Sequence, residues 1–145
     1  SRDNARTPMQ WDDSANGGFT AGTPWFAVNP NYTQINAASQ VGAAGSVYEY
    51  YRELIRLRHT MDVIVYGRFD LLLPDSDEVF AYTRTLGEEK LLVLCNFTGG
   101  DVKAELPEVL KRAEKTYIIG NYGDRPADAG RLRPYEAVVY RTETE

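Results

Sequence analysis

Between Ser46 and His59, apolar residues recur every three or four positions, at Val47, Tyr50, Tyr51, Leu54, Ile55 and Leu57, with Glu49, Arg52, Glu53 and Arg56 mostly between them. That period lines one side of a helix with apolar groups. Ser46-Val47-Tyr48-Glu49 reads as a capping box, in which the Ser46 hydroxyl accepts a first-turn N–H and Glu49 reaches back to the cap. Arg56, Arg58 and His59 suit the negative pole of the helix dipole at the far end. The spacing predicts one amphipathic helix of about 14 to 15 residues, within 46–60.

From about Val63 the period falls to two. Large residues alternate with small ones through 78–84, and 89–97 is strongly apolar around Leu91-Leu92-Val93-Leu94, with Leu86-Gly87-Glu88 joining the two runs as a hairpin. Further strands are predicted near 69–73, 102–106, 115–119 and 137–141. Turn formers separate them at Pro74-Asp75-Ser76-Asp77, Thr98-Gly99-Gly100-Asp101, Pro107 and residues 121–130. Short strands with frequent turns imply an antiparallel β-sandwich over 63–145. Phe80, Tyr82, Tyr117, Tyr135 and Tyr140 read as cross-strand pairs of its core in preference to an exposed sugar-stacking platform.

Residues 1–45 carry Gly17-Gly18, Gly22-Thr23-Pro24, Asn29-Pro30-Asn31, Gly42 and Gly45, a density of turn formers that precludes long regular elements. Trp11, Phe19, Trp25, Phe26 and Tyr32 argue against plain disorder, because such aromatic content signals packing. The predicted fold class is therefore mainly β: a long loop and one helix, then an antiparallel domain.

Composition adds exclusions. With 145 residues, 43% hydrophobic and 26% charged, the chain is ordinary globular material. A net charge of −5 argues against nucleic acid, and no run of about 18 apolar residues offers a membrane span. The single Cys95 excludes an intrachain disulfide and reads as a buried, inert thiol. Asp75-Ser76-Asp77-Glu78 and Asp12-Asp13-Ser14 lack the alternating spacing of a calcium loop, so no metal is expected. Gly99-Gly100 and Gly120-Asn121-Tyr122-Gly123-Asp124 are turn chemistry without phosphate-loop spacing, so no cofactor is expected either. The only His, His59, reads as a surface or C-cap residue.

Polar chemistry concentrates at the start. Two Arg and three Asp lie within the first thirteen residues beside Trp11 and Pro8. Planar Arg forks and carboxylates fix hydroxyl groups, and Trp offers an apolar face to a sugar ring. The competing reading is a solvated, salt-bridged surface loop. Because the chain opens without an initiator Met, it is expected to continue a longer polypeptide.

The run Arg2-Asp3-Asn4-Ala5-Arg6-Thr7-Pro8-Met9-Gln10-Trp11-Asp12 is followed by Gly18-Phe19-Thr20, Pro24-Trp25 and Val28-Asn29-Pro30-Asn31-Tyr32. With Val63-Ile64-Val65-Tyr66-Gly67, Phe80-Ala81-Tyr82-Thr83-Arg84 and Leu132-Arg133-Pro134-Tyr135-Glu136-Ala137, it resembles the C-terminal part of the oligo-1,6-glucosidase and α-glucosidase group. That group lies in the α-amylase superfamily of retaining glycoside hydrolases. The resemblance implies that residues 1–62 end a (β/α)8 barrel, with a substrate-pocket loop at 1–45 and the last barrel helix at about 46–60, and that 63–145 form the β-domain behind it.

It also implies a cytoplasmic α-glucosidase acting on α-1,6 or α-1,4 bonds of short oligosaccharides. The catalytic carboxylates of the family lie in upstream segments that this sequence does not contain, so no residue here is assigned a catalytic role. The partners implied are the catalytic barrel of the same protein and a short α-glucan. For the opening loop the resemblance implies a substrate contact by Arg2 or Arg6, with Asp3 as a nearby orienter. Two other readings stay open: a stand-alone β-sandwich that binds glucan or a protein, and, within the family, a glucosyl-transferring isomerase or trehalose synthase.

Overall fold

The computed structural model describes residues 2–124, 126 and 128–143. Contacts divide the chain into two compact units, Ser1–Glu53 and Leu54–Glu145.

In the first unit the turn-rich sequence gives only short elements: 3-10 turns at Arg2–Arg6, Ala15–Gly18 and Pro30–Thr33, and a single α-turn, α1, at Ala37–Gln40. Helix α2, Val47–Thr60, then runs for 14 residues across the division between the units. Ser46 Oγ accepts the Glu49 N–H, as a cap should. Only half of the capping box forms. The Ser46 N–H already donates to the Ala43 carbonyl, so Glu49 turns instead to the Gly42 N–H and to Arg52. Most of the helix's apolar stripe, including Val47, Tyr51 and Ile55, stands exposed.

The two-residue period expected from about Val63 does not start there: the chain forms instead a short helix, α3, Asp62–Tyr66. Its β-branched run has little helical propensity, and a tertiary contact decides the outcome. Val63 is fully buried against the sheet, and Arg84 Nη2 donates to the Ile64 and Val65 carbonyls at 3.1 and 3.2 Å, satisfying acceptors that a helix end leaves open.

Strands β1 (Arg68–Leu72), β2 (Val79–Leu86), β3 (Glu89–Asn96), β4 (Val102–Lys103), β5 (Thr116–Gly120), β6 (Arg131–Leu132) and β7 (Ala137–Glu143) follow. The large sheet has the order β1-β2-β3-β7-β5, every pair antiparallel, and β4 pairs with β6 in a small ribbon. The hairpin sits where the turn residues place it, with Leu86 opposite Glu89. Two elements go beyond the pattern: β6, and a helix α4 at Glu108–Arg112 that Pro107 introduces.

Alternation sorts the sheet into two faces. Val79, Ala81, Leu92, Leu94, Val138 and Tyr140 point to one side and pack with Val102, Ala104, Leu106, Leu110 and Leu132, forming a two-layered core. The opposite face carries α3 together with Phe69, Phe80, Tyr82 and Val93, which line an open cleft of about 490 Å³.

The chain leaves α3 through Gly67, and there a side chain has no room. A Cβ would lie 2.3 Å from the Val63 carbonyl oxygen and 3.2 Å from the Thr85 nitrogen, both backbone atoms. Gly67→Ala is therefore expected to destabilise the second unit by about 1–3 kcal/mol through overpacking. Chemical denaturation followed by circular dichroism tests this, and an unchanged midpoint would show that the α3 junction gives way freely.

Candidate functional site

Arg2, Asp3 and Arg6 share the first 3-10 turn, and all three are exposed. In that geometry residues three apart eclipse one another, so Asp3 and Arg6 lie on the same side of the turn while Arg2 lies to another. Of the two arginines, Arg6 is the one that shares its side of the turn with Asp3.

Behind this turn the chain is held tightly. Thr7-Pro8 comes first, with Pro8 buried and fixing its own φ. Gln10 is then tied on several sides. Its side-chain Nε2 donates to Asn31 Oδ1 at 3.0 Å and to the Ile35 carbonyl, while its own carbonyl accepts the Ala37 N–H at 2.9 Å. The Trp11 carbonyl takes the next N–H of α1, from Ala38, so the 10–11 segment caps that helix.

On the other side, Trp11 and Asp12 both donate backbone N–H groups to the Gly17 carbonyl, at 2.8 and 3.3 Å. This closes on a left-handed run, Asn16, Gly17 and Gly18, with φ of 56°, 63° and 68°. Gly18 suits the position, because its φ of 68° strains other residues and a Cβ there would press on the Asp12 carboxylate, 2.7 Å from Oδ2. Asn16 tolerates the conformation and its amide donates to the Thr20 and Gly22 carbonyls. Asp12 is consumed by this fold: Oδ1 accepts the Ser14 hydroxyl and N–H, which hold the carboxyl below the usual range.

The first unit also contains an open cleft of about 500 Å³, mainly apolar, lined by Pro8, Gln10, Ile35, Val47, Tyr48 and Tyr51 among others. Beyond it Trp25 is 93% exposed, with Phe26 edge-on at 6.5 Å. Neither Trp is buried beneath the opening loop, since Trp11 is exposed as well.

The other residues singled out in the sequence fall elsewhere. Residues 75–78 form an exposed turn in which Ser76 Oγ accepts the Glu78 and Val79 N–H groups. Among the described residues, no group of three or more His, Cys, Asp and Glu is arranged to hold a metal ion. No helix among them is long and apolar enough to cross a membrane. His59 is exposed near the end of α2. Cys95 is only half-buried, on the less protected sheet face, and burial still pushes its thiol up.

The aromatics divide between the two sheet faces. Tyr117 and Tyr140 are a cross-strand pair, edge-on at 6.3 Å and belonging to the core, whereas Phe69, Tyr82 and Phe80 cluster on the opposite face with centroids 5.1 and 5.4 Å apart. Tyr135 stands apart, exposed and in a left-handed conformation. Sequence reasoning missed the Gln10 anchor, because its partners lie 21 and 25 residues away and no local period marks them.

Known proteins place this arrangement. Residues 1–67 match the alpha amylase catalytic domain, and residues 79–139 match the alpha-amylase SusG C-terminal domain. The oligo-1,6-glucosidase of Parageobacillus thermoglucosidasius is 50% identical over 97% of this chain, and that of Bacillus cereus 48% identical over 97%. The chain spans 25% of the length of each. Among solved structures, Bacillus licheniformis trehalose-6-phosphate hydrolase superposes with a TM-score of 0.91 at 39% identity, over 99% of this chain and 27% of its own. Isomaltulose synthase from Klebsiella sp. LX3 does so with 0.89 at 43% identity, over 98% of this chain and 26% of its own. With residues 1–67 falling on a catalytic-domain family and 79–139 on a C-terminal-domain family of α-amylases, and relatives matching 97% or more of its length, the chain belongs to the α-amylase superfamily.

Proposed function

We propose that this chain is part of a retaining α-glucosidase that hydrolyses α-1,6 or α-1,4 glucosidic bonds of short oligosaccharides in the cytoplasm. The observation that carries the reading is the 50% identity, over nearly the whole chain, to a protein named oligo-1,6-glucosidase. In this reading residues 1–62 finish the barrel and 63–145 form a β-domain that packs on it. The catalytic carboxylates belong to other polypeptide of the same protein, the barrel being the chain's partner.

The opening turn then contributes by binding. A guanidinium keeps its charge and aims several N–H donors at neighbouring sugar hydroxyls, which positions the ring without transferring a proton. Arg6, on the side of the turn that it shares with Asp3, is the first candidate and Arg2 the second. In the complete protein, Arg6→Ala or Arg2→Ala is expected to lower kcat/KM by a factor of tens, as loss of a charged hydrogen bond worth about 1.5–3 kcal/mol requires. The 145-residue chain alone is expected to leave nitrophenyl α-glucoside untouched. Wild-type kinetics in both arginine variants would remove the binding role, and turnover by the chain alone would contradict the division of labour.

A second reading has its own support. The isomaltulose synthase at 43% identity favours a glucosyl-transferring isomerase. Product analysis with sucrose and isomaltose separates the two, since an isomerase converts sucrose to an isomeric disaccharide, whereas a hydrolase of α-1,6 bonds releases glucose from isomaltose and makes no such isomer.

A further inference from the structure

We propose that Gln10 is a positioning residue, which sets the Arg2–Arg6 turn at the angle its arginine needs to reach the sugar. The inference rests on the reading that Arg6 or Arg2 touches substrate. Gln10 stands four positions after Arg6, and the link between them contains Pro8, whose ring fixes its own φ and restricts Thr7 to extended conformations. A displacement at Gln10 is therefore passed to the turn with little slack.

What holds Gln10 is its amide. An amide NH₂ has two donors, and both are used, on Asn31 Oδ1 and the Ile35 carbonyl. Those acceptors flank the end of the 3-10 turn Pro30–Thr33, which Asn29 caps by accepting the Asn31 N–H. The side chain thus fastens the entry segment to chain 21 and 25 residues further on. The backbone bonds from Ala37 to the Gln10 carbonyl and from Trp11 to the Gly17 carbonyl do not need the side chain. Removing the amide should loosen the angle of the segment and leave its fold in place.

Orientation of this kind matters steeply, since a misplacement of about 1 Å in a binding group can cost about 100-fold in rate. In the complete protein, Gln10→Ala is expected to lower kcat/KM for nitrophenyl α-glucoside about tenfold with the melting temperature little changed. Gln10→Glu should not rescue it, because a carboxylate has no N–H for two facing acceptors. Asn31→Ala, which removes one acceptor and keeps Gln10, should give a smaller loss of the same kind.

A double-mutant cycle separates positioning from a general structural effect. In the background of whichever arginine variant is itself impaired, Gln10→Ala should change kcat/KM by no more than about twofold. Should the Gln10→Ala loss be as large in that background as in wild type, Gln10 acts elsewhere and the proposal falls. Wild-type kinetics for Gln10→Ala and Asn31→Ala beside an impaired arginine variant would likewise overturn it while leaving the binding role of the turn intact. If both arginine variants behave as wild type, it is the binding role that fails, and the proposal with it.

Discussion

Replacing Glu136 with alanine is expected to destabilise the second unit by about 1.5–3 kcal/mol, the range for hydrogen bonds to a charged group, because Glu136 is buried while its partner Arg133 keeps a third of its side chain in solvent. The Glu136 side chain is 2% exposed and serves Arg133 three times, accepting its backbone N–H at 2.8 Å, Nε at 3.1 Å and Nη2 at 2.6 Å. The same guanidinium reaches Asp124 with Nη1, at 2.7 and 3.0 Å, and lies 3.9 Å from the centre of the Tyr122 ring. Tyr122 in turn donates its hydroxyl to the Pro134 carbonyl. Alanine would leave the Arg133 N–H without its acceptor and the guanidinium with Asp124 and the Tyr122 ring. In a domain of this size the loss amounts to roughly 4–8 °C of melting temperature per kcal/mol.

The effect should depend on pH in a defined direction. Burial by itself pushes the Glu136 carboxyl up, but the Arg133 side chain, its backbone N–H and its charge outweigh burial and hold the carboxyl below its usual value. A depressed folded-state pKa gives stability that is complete above the unfolded value, about 4.3, and is lost as pH falls through the folded one. The gap between wild type and Glu136→Gln should therefore be widest near neutrality and narrow in acid. Urea melts at both pH values, followed by circular dichroism, measure it. Both Trp residues, Trp11 and Trp25, lie in the first unit, so their fluorescence reports separately whether that unit is disturbed. A gap that widens in acid would refute the ion-pair account.

The second large effect belongs to Leu92. Its side chain is fully buried near the middle of β3, with Thr83 opposite on β2 and Tyr140 opposite on β7. Truncation to alanine removes apolar burial and leaves a void between sheet and ribbon, at a cost of about 2–5 kcal/mol. Leu86→Ala, at the exposed end of β2, is expected to cost less than about 1 kcal/mol. Equal losses at the two positions would mean that the layered core does not carry the stability of this unit.

How much was legible in advance depended on how local each cause is. The period of 46–60 predicted α2 to within a residue, and the predicted strands 69–73, 89–97 and 137–141 match β1, β3 and β7 closely, because burial of one face writes its repeat directly into the chain. Gly17-Gly18, the glycine part of the left-handed run, was visible as turn chemistry because glycine takes a positive φ without steric cost. The two-residue period expected from about Val63 is not found there, where the helix Asp62–Tyr66 stands instead, since that helix is held by Arg84 some twenty residues away. At the candidate site the sequence marked Arg2, Asp3 and Arg6 by composition and resemblance. It gave no sign that the 3-10 geometry groups Asp3 with Arg6, or that Gln10 anchors the segment behind them.

The sequence by itself determined the helix at 46–60 and most of the strands, that they pair antiparallel, and which family the chain resembles. All of these follow from periods, turn residues and motifs spanning a few positions. Only the tertiary structure decided that β7 lies between β3 and β5, that Arg133 bridges the buried Glu136 and the exposed Asp124, and that Gln10 reaches Asn31 and Ile35. Each of those needs groups distant along the chain to meet, and a meeting is settled by the packing of the whole domain.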